Sequence, residues 1–68
     1  MRLRRAEAGR YETRDGVYEI VSAHAGGGGR GWHIFDIETQ MRGEDGYITT
    51  ESTLKEARAA LEGLLSSP

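Results

Sequence analysis

Few side chains in this 68-residue chain have the types and spacing that enzyme chemistry requires. The two histidines, His24 and His33, lack the HxH or HxxxH spacing of a metal site, and there is no cysteine to supply a thiolate. Glu44 and Asp45 are adjacent acids between two glycines, where a turn explains them better than a catalytic carboxylate pair. No serine lies in a recognisable nucleophile motif. We therefore expect no enzyme activity, no metal and no small-molecule cofactor.

A glycine run offers a second kind of chemistry, the binding of a phosphate group. Residues 26–31 read GGGGRG, which contains the GxGxxG pattern of dinucleotide-binding proteins. That pattern works only when a helix follows it, because the helix N-terminus meets the pyrophosphate. Here the strand-like segment beginning at Trp32 follows instead. Residues 24–31 are therefore predicted to form a glycine-rich loop between two strands.

The arginines offer a third kind, contact with nucleic acid. Residues 1–30 carry six arginines and four acids, whereas residues 31–68 carry three basic and seven acidic residues. A three-stranded sheet can read DNA with arginine side chains. The candidates for such a surface are the N-terminal arginines and nearby aromatic residues: Arg2, Arg4, Arg5, Arg10, Arg14, Tyr11, Tyr18 and Trp32. The same strands also carry acids such as Glu19, which repel phosphate, and the net charge of the chain is −2. DNA binding is therefore the alternative function.

Strands must position these side chains. The Asp15-Gly16 pair between two strand-like runs predicts a hairpin. The predicted strands cover residues 9–13, 17–23, 32–37 and 47–50, and residues 1–8 form either a flexible arm or an edge strand. Residues 38–45 are polar and are predicted to be a loop.

The C-terminal segment predicts a helix over residues 53–65. Thr53 and Glu56 have the spacing of a capping box, in which each side chain accepts a hydrogen bond from the other residue's backbone N–H. An apolar stripe with helical spacing follows, formed by Leu54, Ala57, Leu61, Leu64 and Leu65. The predicted fold class is therefore α+β: a single small domain with a three- to four-stranded antiparallel sheet and one C-terminal helix packed on one face.

One helix can cover only one face of such a sheet, yet apolar side chains point to both faces. One set is Tyr18, Ile20, Trp32 and Ile34, and the other is Val17, Val21, Phe35 and Ile37. We predict that the first set forms the uncovered face. Because exposed apolar patches mark interaction sites, this face would then bind the partner. The opposite arrangement, in which the second set is exposed, is the alternative.

Two resemblances accompany these patterns. With its Gly31-Trp32 pair, Asp36 and the helix motif of residues 53–61, the chain resembles small uncharacterised proteins of actinobacteria and their phages. That resemblance implies the strand-strand-strand-helix layout and no known activity. More distantly, the chain is similar to phage-integrase arm-binding domains and plant ethylene-response-factor domains. This second resemblance implies DNA contact through Arg10, Arg14 and Trp32.

The function predicted from the sequence is a non-catalytic protein-interaction module, as in a small phage or mobile-element accessory protein. Its partner would be a host protein or a second copy of itself in a homodimer. No apolar run approaches the ~20 residues that a membrane helix needs, so we expect no membrane association. A cytoplasmic location follows, and the absence of cysteine agrees with a reducing compartment.

Overall fold

Five antiparallel strands form one open sheet, which a C-terminal helix covers on one face. The computed structural model describes residues 3–24 and 29–66. The elements in chain order are β1 (Leu3–Glu7), β2 (Arg10–Thr13), β3 (Tyr18–Ser22), β4 (Trp32–Asp36), α1 (Ile37–Met41), β5 (Tyr47–Glu51) and α2 (Leu54–Ser66). Each strand pairs with the next along the chain, so the sheet is a meander.

The predicted α+β class, with an antiparallel sheet and a C-terminal helix, is confirmed. The sheet is wider than predicted because Leu3–Glu7 joins it as an edge strand rather than forming a flexible arm. Residues 25–28, which make up half of the predicted glycine-rich loop, lie outside the described residues, as does Arg2.

The turn between β2 and β3 is stabilised by two side chains. The Thr13 hydroxyl donates to Asp15 Oδ1 at 2.6 Å, and the same carboxylate oxygen accepts from the Val17 N–H at 3.0 Å. Gly16 follows with a φ of +76°, a conformation that glycine adopts without strain. The bonds from Thr13 and Val17 lower the pKa of Asp15. The ionised carboxylate therefore stabilises the turn at neutral pH, and this contribution is lost as the pH falls through the folded-state pKa.

A short helix, α1, replaces the end of the predicted third strand and the start of the predicted loop. Asp36 caps it, because Asp36 Oδ1 accepts a hydrogen bond from the Thr39 N–H at 3.1 Å. The helix is five residues long, too short for apolar periodicity to reveal it. Its last turn places Gln40 next to β3, where Gln40 Nε2 donates to the Glu19 carboxylate.

Helix α2 begins directly after Thr53, whose hydroxyl accepts a hydrogen bond from the Glu56 N–H at 3.1 Å. The Thr53 hydroxyl in turn donates to Glu56 Oε1 at 3.2 Å, whereas the capping box predicted the Thr53 backbone N–H as the donor to this carboxylate. Ala57 and Leu61 are the fully buried residues of this helix. Among residues 3–24 and 29–66, no helix is long and apolar enough to cross a lipid bilayer.

The hydrophobic core lies between α2 and the sheet. Ile20 and Ile34 are directly opposite each other on β3 and β4, and both are fully buried against Ala57 and Leu61. Partly buried side chains surround this centre: Leu3, Tyr11, Tyr18, Trp32, Ile48, Leu54 and Ala60. Alanine at position 57 lets the helix backbone approach the sheet closely, and Leu61 fills the remaining space.

The prediction that Tyr18, Ile20, Trp32 and Ile34 form the uncovered face is therefore wrong. Ile20 and Ile34 have no solvent exposure, and Tyr18 and Trp32 pack at the edges of the same core. The paired isoleucines with their aromatic neighbours are the most apolar area of the sheet, so burying them under α2 removes the most apolar surface from water. The face opposite α2 is left open, which is the alternative arrangement.

Candidate functional site

The open face is the surface of the sheet opposite α2. Because side chains alternate along a strand, the register of the strands identifies its members. They are Arg4 and Glu7 on β1, Arg10 and Glu12 on β2, Glu19 and Val21 on β3, His33 and Phe35 on β4, and Tyr47 and Thr50 on β5. Charged side chains occupy the part formed by β1, β2 and β3, and aromatic side chains occupy the part formed by β4 and β5. Val17 and Ile37 of the alternative apolar face lie just outside the strands.

Three rings form an aromatic cluster on the β4–β5 part: His33, Phe35 and Tyr47. Their centroids are 6.0–6.2 Å apart, and each pair of rings is inclined by 66–67°. This edge-to-face arrangement brings the positive edge of one ring to the negative face of the next. The cluster is a stable unit that reaches the surface, since 52% of Tyr47 is exposed and the other two rings are half-buried.

A β-bulge in β5 brings Tyr47 into this cluster. Thr49 pairs with Ile34, but the next residue of β4, Phe35, pairs with Tyr47, so Ile48 is an extra residue in β5. In a regular pair, Phe35 would face Ile48, and Tyr47 would point to the helix side of the sheet. The bulge therefore places Ile48 in the core and Tyr47 beside Phe35 on the open face.

Thr50 connects two rings of the cluster by hydrogen bonds. Its hydroxyl oxygen lies 2.6 Å from His33 Nδ1 and 2.8 Å from the Tyr47 hydroxyl oxygen. Thr50 carries one hydroxyl proton and can donate in only one of these bonds, so His33 or Tyr47 must donate in the other. In addition, the Tyr47 N–H donates to Asp45 Oδ1 at 3.0 Å. The two bonds to the Thr50 hydroxyl restrict the side-chain rotamers of Tyr47 and His33, and the bond to Asp45 restrains the Tyr47 backbone, which together reduce the entropy that binding would cost.

The rest of the open face is occupied by a charge network that links four elements. Glu19 is nearly buried; its carboxylate accepts from Arg10 Nε at 3.0 Å and from Gln40 Nε2 at 3.2 Å. Arg10 Nη2 also lies 3.5 Å from the Glu12 carboxylate, which forms an ion pair with Arg4. Two arginines and two glutamates alternate across β1, β2 and β3, and their charges cancel.

The three residues that the second resemblance implies for DNA contact do not form a shared surface. Arg10 lies on the open face, where Glu12 and Glu19 neutralise it. Trp32 lies on the helix side, with its ring centroid 6.0 Å from that of Tyr11. Arg14 is in the exposed turn between β2 and β3. Because side chains alternate along a strand, Trp32 and Arg10 lie on opposite faces of the sheet. The acids of the network neutralise the arginine charge that would attract phosphate.

The two histidines also lie apart. His24 is exposed in the turn after β3, whereas His33 belongs to the aromatic cluster. Within residues 3–24 and 29–66, no group of three or more histidine, aspartate or glutamate side chains is placed to hold a metal ion. The chemistry that the site offers is therefore contact through aromatic rings and hydroxyl groups.

The charge network predicts a stability effect at Glu19. Replacing Glu19→Gln removes the charge that pairs with Arg10 and leaves a nearly buried amide against the donors of Arg10 and Gln40. We expect the free energy of unfolding to fall by about 1–3 kcal/mol, measured by urea denaturation. The matched control is Glu62→Gln on the exposed side of α2, with an expected change within about 0.5 kcal/mol. Equal losses in the two variants would show that the network contributes nothing.

Comparison of the chain with protein-family models, with curated proteins and with solved structures returns no significant match. The geometry of the open face is therefore the basis on which a function can be inferred. Of the rings that form the cluster, the sequence named Phe35 as part of the alternative apolar face, and it suggested His33 only as a metal ligand, a role that the histidine spacing argued against. It did not identify Tyr47 as a surface residue, because the bulge decides the side on which Tyr47 lies.

Proposed function

We propose that this protein is a non-catalytic protein-interaction module that binds its partner through the aromatic cluster of the open face. The observation that supports the proposal is the gathering of three rings on the face that α2 does not cover, with half of Tyr47 exposed. Partly exposed aromatic side chains, tyrosine above all, are enriched among the residues that contribute most to binding energy. Because the Thr50 hydroxyl already restrains the Tyr47 side chain, little entropy is lost when a partner contacts the ring.

The charge network argues against a wider interface. Its carboxylates are already paired with Arg4 and Arg10, so a partner covering it would desolvate charges without offering better contacts. The interface proposed here is therefore limited to the β4–β5 part of the open face. The network forms its polar border, as is common at the rim of protein interfaces.

Other exposed apolar side chains are weaker candidates. Met41 is 83% exposed at the end of α1, and Leu64 and Leu65 are partly exposed near the end of α2. Single apolar side chains of this kind are normal on protein surfaces. The aromatic cluster differs because its three rings contact one another and form one continuous surface.

The partner class and location proposed here follow from the sequence. The resemblance to small actinobacterial and phage proteins supports an accessory role in the host cytoplasm, with a host protein or a second copy as partner. The chain has no cysteine, which agrees with a reducing compartment.

Site-specific photo-crosslinking in the cell that naturally makes the protein tests the proposal. A photoreactive phenylalanine analogue replaces Tyr47 in one variant and the exposed Arg58 on α2 in the control. We expect a discrete cross-linked product with a protein from position 47 and none from position 58. If position 47 gives no product, or if both positions give the same products, the open face is not the binding surface.

A further inference from the structure

We propose that the segment bound by the aromatic cluster is a basic stretch of a partner protein, whose lysine or arginine side chains stack on Tyr47 at the free edge of β5. This inference rests on the proposed function and names its partner by charge. It follows from the position of the cluster in the sheet, from the ring that is most exposed, and from the distribution of charge around β5.

The cluster lies at an edge of the sheet. β5 has a single neighbouring strand, β4, so a partner can approach Tyr47 both from the open face and from the side. The opposite edge strand, β1, carries Arg4, Arg5 and Glu7 among its five residues, whereas β5 carries only Glu51. Charged side chains protect an edge strand from further pairing, and β5 has little of this protection. The edge beside the cluster is therefore the more accessible one.

Tyr47 is the ring that a partner meets first. It is 52% exposed, while its packing against Phe35 and His33 fixes its orientation. The face of an aromatic ring carries negative electrostatic potential and attracts a cation placed above it. An alkyl or guanidinium group can also make apolar contact with the ring, which adds to the attraction.

The charge around β5 selects a cation. From Arg30 to Glu51 the chain carries five acids and two arginines, a net charge of −3. Glu44 and Asp45 lie just before β5, and Asp45 is in direct contact with Tyr47 through the Tyr47 N–H. Glu51 ends the strand and pairs with Trp32, so it points to the helix side of the sheet. On the other half of the sheet, Arg4 and Arg10 are held in the charge network. The charges nearest to Tyr47 along the chain are therefore the acids Glu44 and Asp45, which favour a basic partner.

The same charges disfavour two other occupants. An acidic segment would be repelled by Glu44 and Asp45. A second copy that paired its own β5 with this edge would bring two sets of those acids together, and like charges in adjacent strands are destabilising. A basic segment neutralises the acids and gains a contact with Tyr47.

Titration of the full-length protein with synthetic peptides, followed by amide NMR shifts, tests the inference. One short peptide alternates lysine and valine, and the matched peptide alternates glutamate and valine. We expect the lysine peptide to shift the amide signals of Tyr47 and Thr50 and to bind more weakly as salt is added. We expect no binding of the glutamate peptide.

Variants separate the ring from general apolar contact. Tyr47→Ala and Tyr47→Leu should each weaken binding of the lysine peptide by about fivefold, because both remove the aromatic face. Met41→Ala changes an exposed apolar residue outside the cluster and should leave the affinity unchanged. The amide spectrum of each variant shows that its fold is intact. Unchanged binding in Tyr47→Leu would overturn the role of the ring.

Three further results would overturn the inference. The first is equal binding of both peptides, and the second is no binding of the lysine peptide at about 1 mM. The third is a shift of the β5 amide signals that depends on protein concentration without peptide, which would identify a second copy as the occupant. In each case, a cross-linked protein from position 47 would leave the proposed interaction module standing. Loss of that cross-link would instead reject the proposed function itself.

Discussion

Replacing Gly46→Ala is expected to destabilise the protein by about 3–5 kcal/mol, because a Cβ has no space there and the backbone is strained for any other residue. Gly46 is buried just before β5 and has a φ of +71°. An added Cβ would collide with the backbone carbonyl oxygen of Asp36 and approach Gln40 Cγ to 3.0 Å. The Gly46 carbonyl also accepts the Asp36 N–H at 2.8 Å, so the backbone cannot move away without losing that bond.

Urea denaturation with circular dichroism measures this effect, and the chain offers a matched control. Gly43 also has a positive φ, +93°, but an added Cβ would meet nothing within 4 Å. Gly43→Ala should therefore cost only the conformational strain, about 1–2 kcal/mol. If the two variants lost equal stability, the close approach of Gly46 to β4 would not be the cause. A domain of this size without disulfides typically has roughly 3–5 kcal/mol of stability. Gly46→Ala should therefore be largely unfolded before urea is added, which its circular dichroism at zero urea shows, whereas Gly43→Ala should keep a measurable urea transition.

Replacing Leu61→Ala is expected to lower the free energy of unfolding by about 3–4 kcal/mol. Leu61 is fully buried on α2 and packs in the core cluster with Ile20 and Ile34. The shorter side chain would lose its apolar burial and leave a cavity under the helix. Because α2 is the element that covers this face of the sheet, the remaining side chains have little freedom to fill the cavity.

The control for this prediction is Leu64→Ala, one turn along the same helix. Leu64 is 38% exposed, so its truncation should cost about 1 kcal/mol or less. Both substitutions lower side-chain volume equally and have the same effect on helix propensity. A similar loss in the two variants, measured by urea denaturation with an unchanged m-value, would contradict the packing of α2 described here.

The parts of the fold that the sequence predicted correctly depend on local signals. Asp15-Gly16 indicates a hairpin because few residue pairs adopt that turn, and Gly16 does have a positive φ. Thr53 and Glu56 indicate where α2 begins, because their side chains contact each other across the first turn. These residues interact with neighbours only a few positions away, so their effect can be read without knowing the rest of the structure.

The side of the sheet that α2 covers could not be predicted in the same way. Both faces of β3 and β4 offer apolar side chains, and the choice depends on which cross-strand set is more apolar. Ile20 pairs with Ile34 on one face, whereas Glu19 pairs with Phe35 on the other. The charges of β2 and the Gln40 side chain of α1 then cover Glu19. The contacts that cover Glu19 join β2, β3 and α1, which are distant in sequence, and α1 itself was not predicted.

The bulge at Ile48 has a consequence for how related sequences can differ in length. Because Ile48 is the extra residue between Tyr47 and Thr49, removing it would give a regular strand with the same two partners on β4. Tyr47 would still face Phe35, and the chain would lose one apolar core residue and some local twist. A relative that is one residue shorter at this point can therefore keep its aromatic cluster. An insertion or deletion of one residue between Thr49 and Glu51 would instead exchange the side chains of β5 that face the helix with those that lie on the open face.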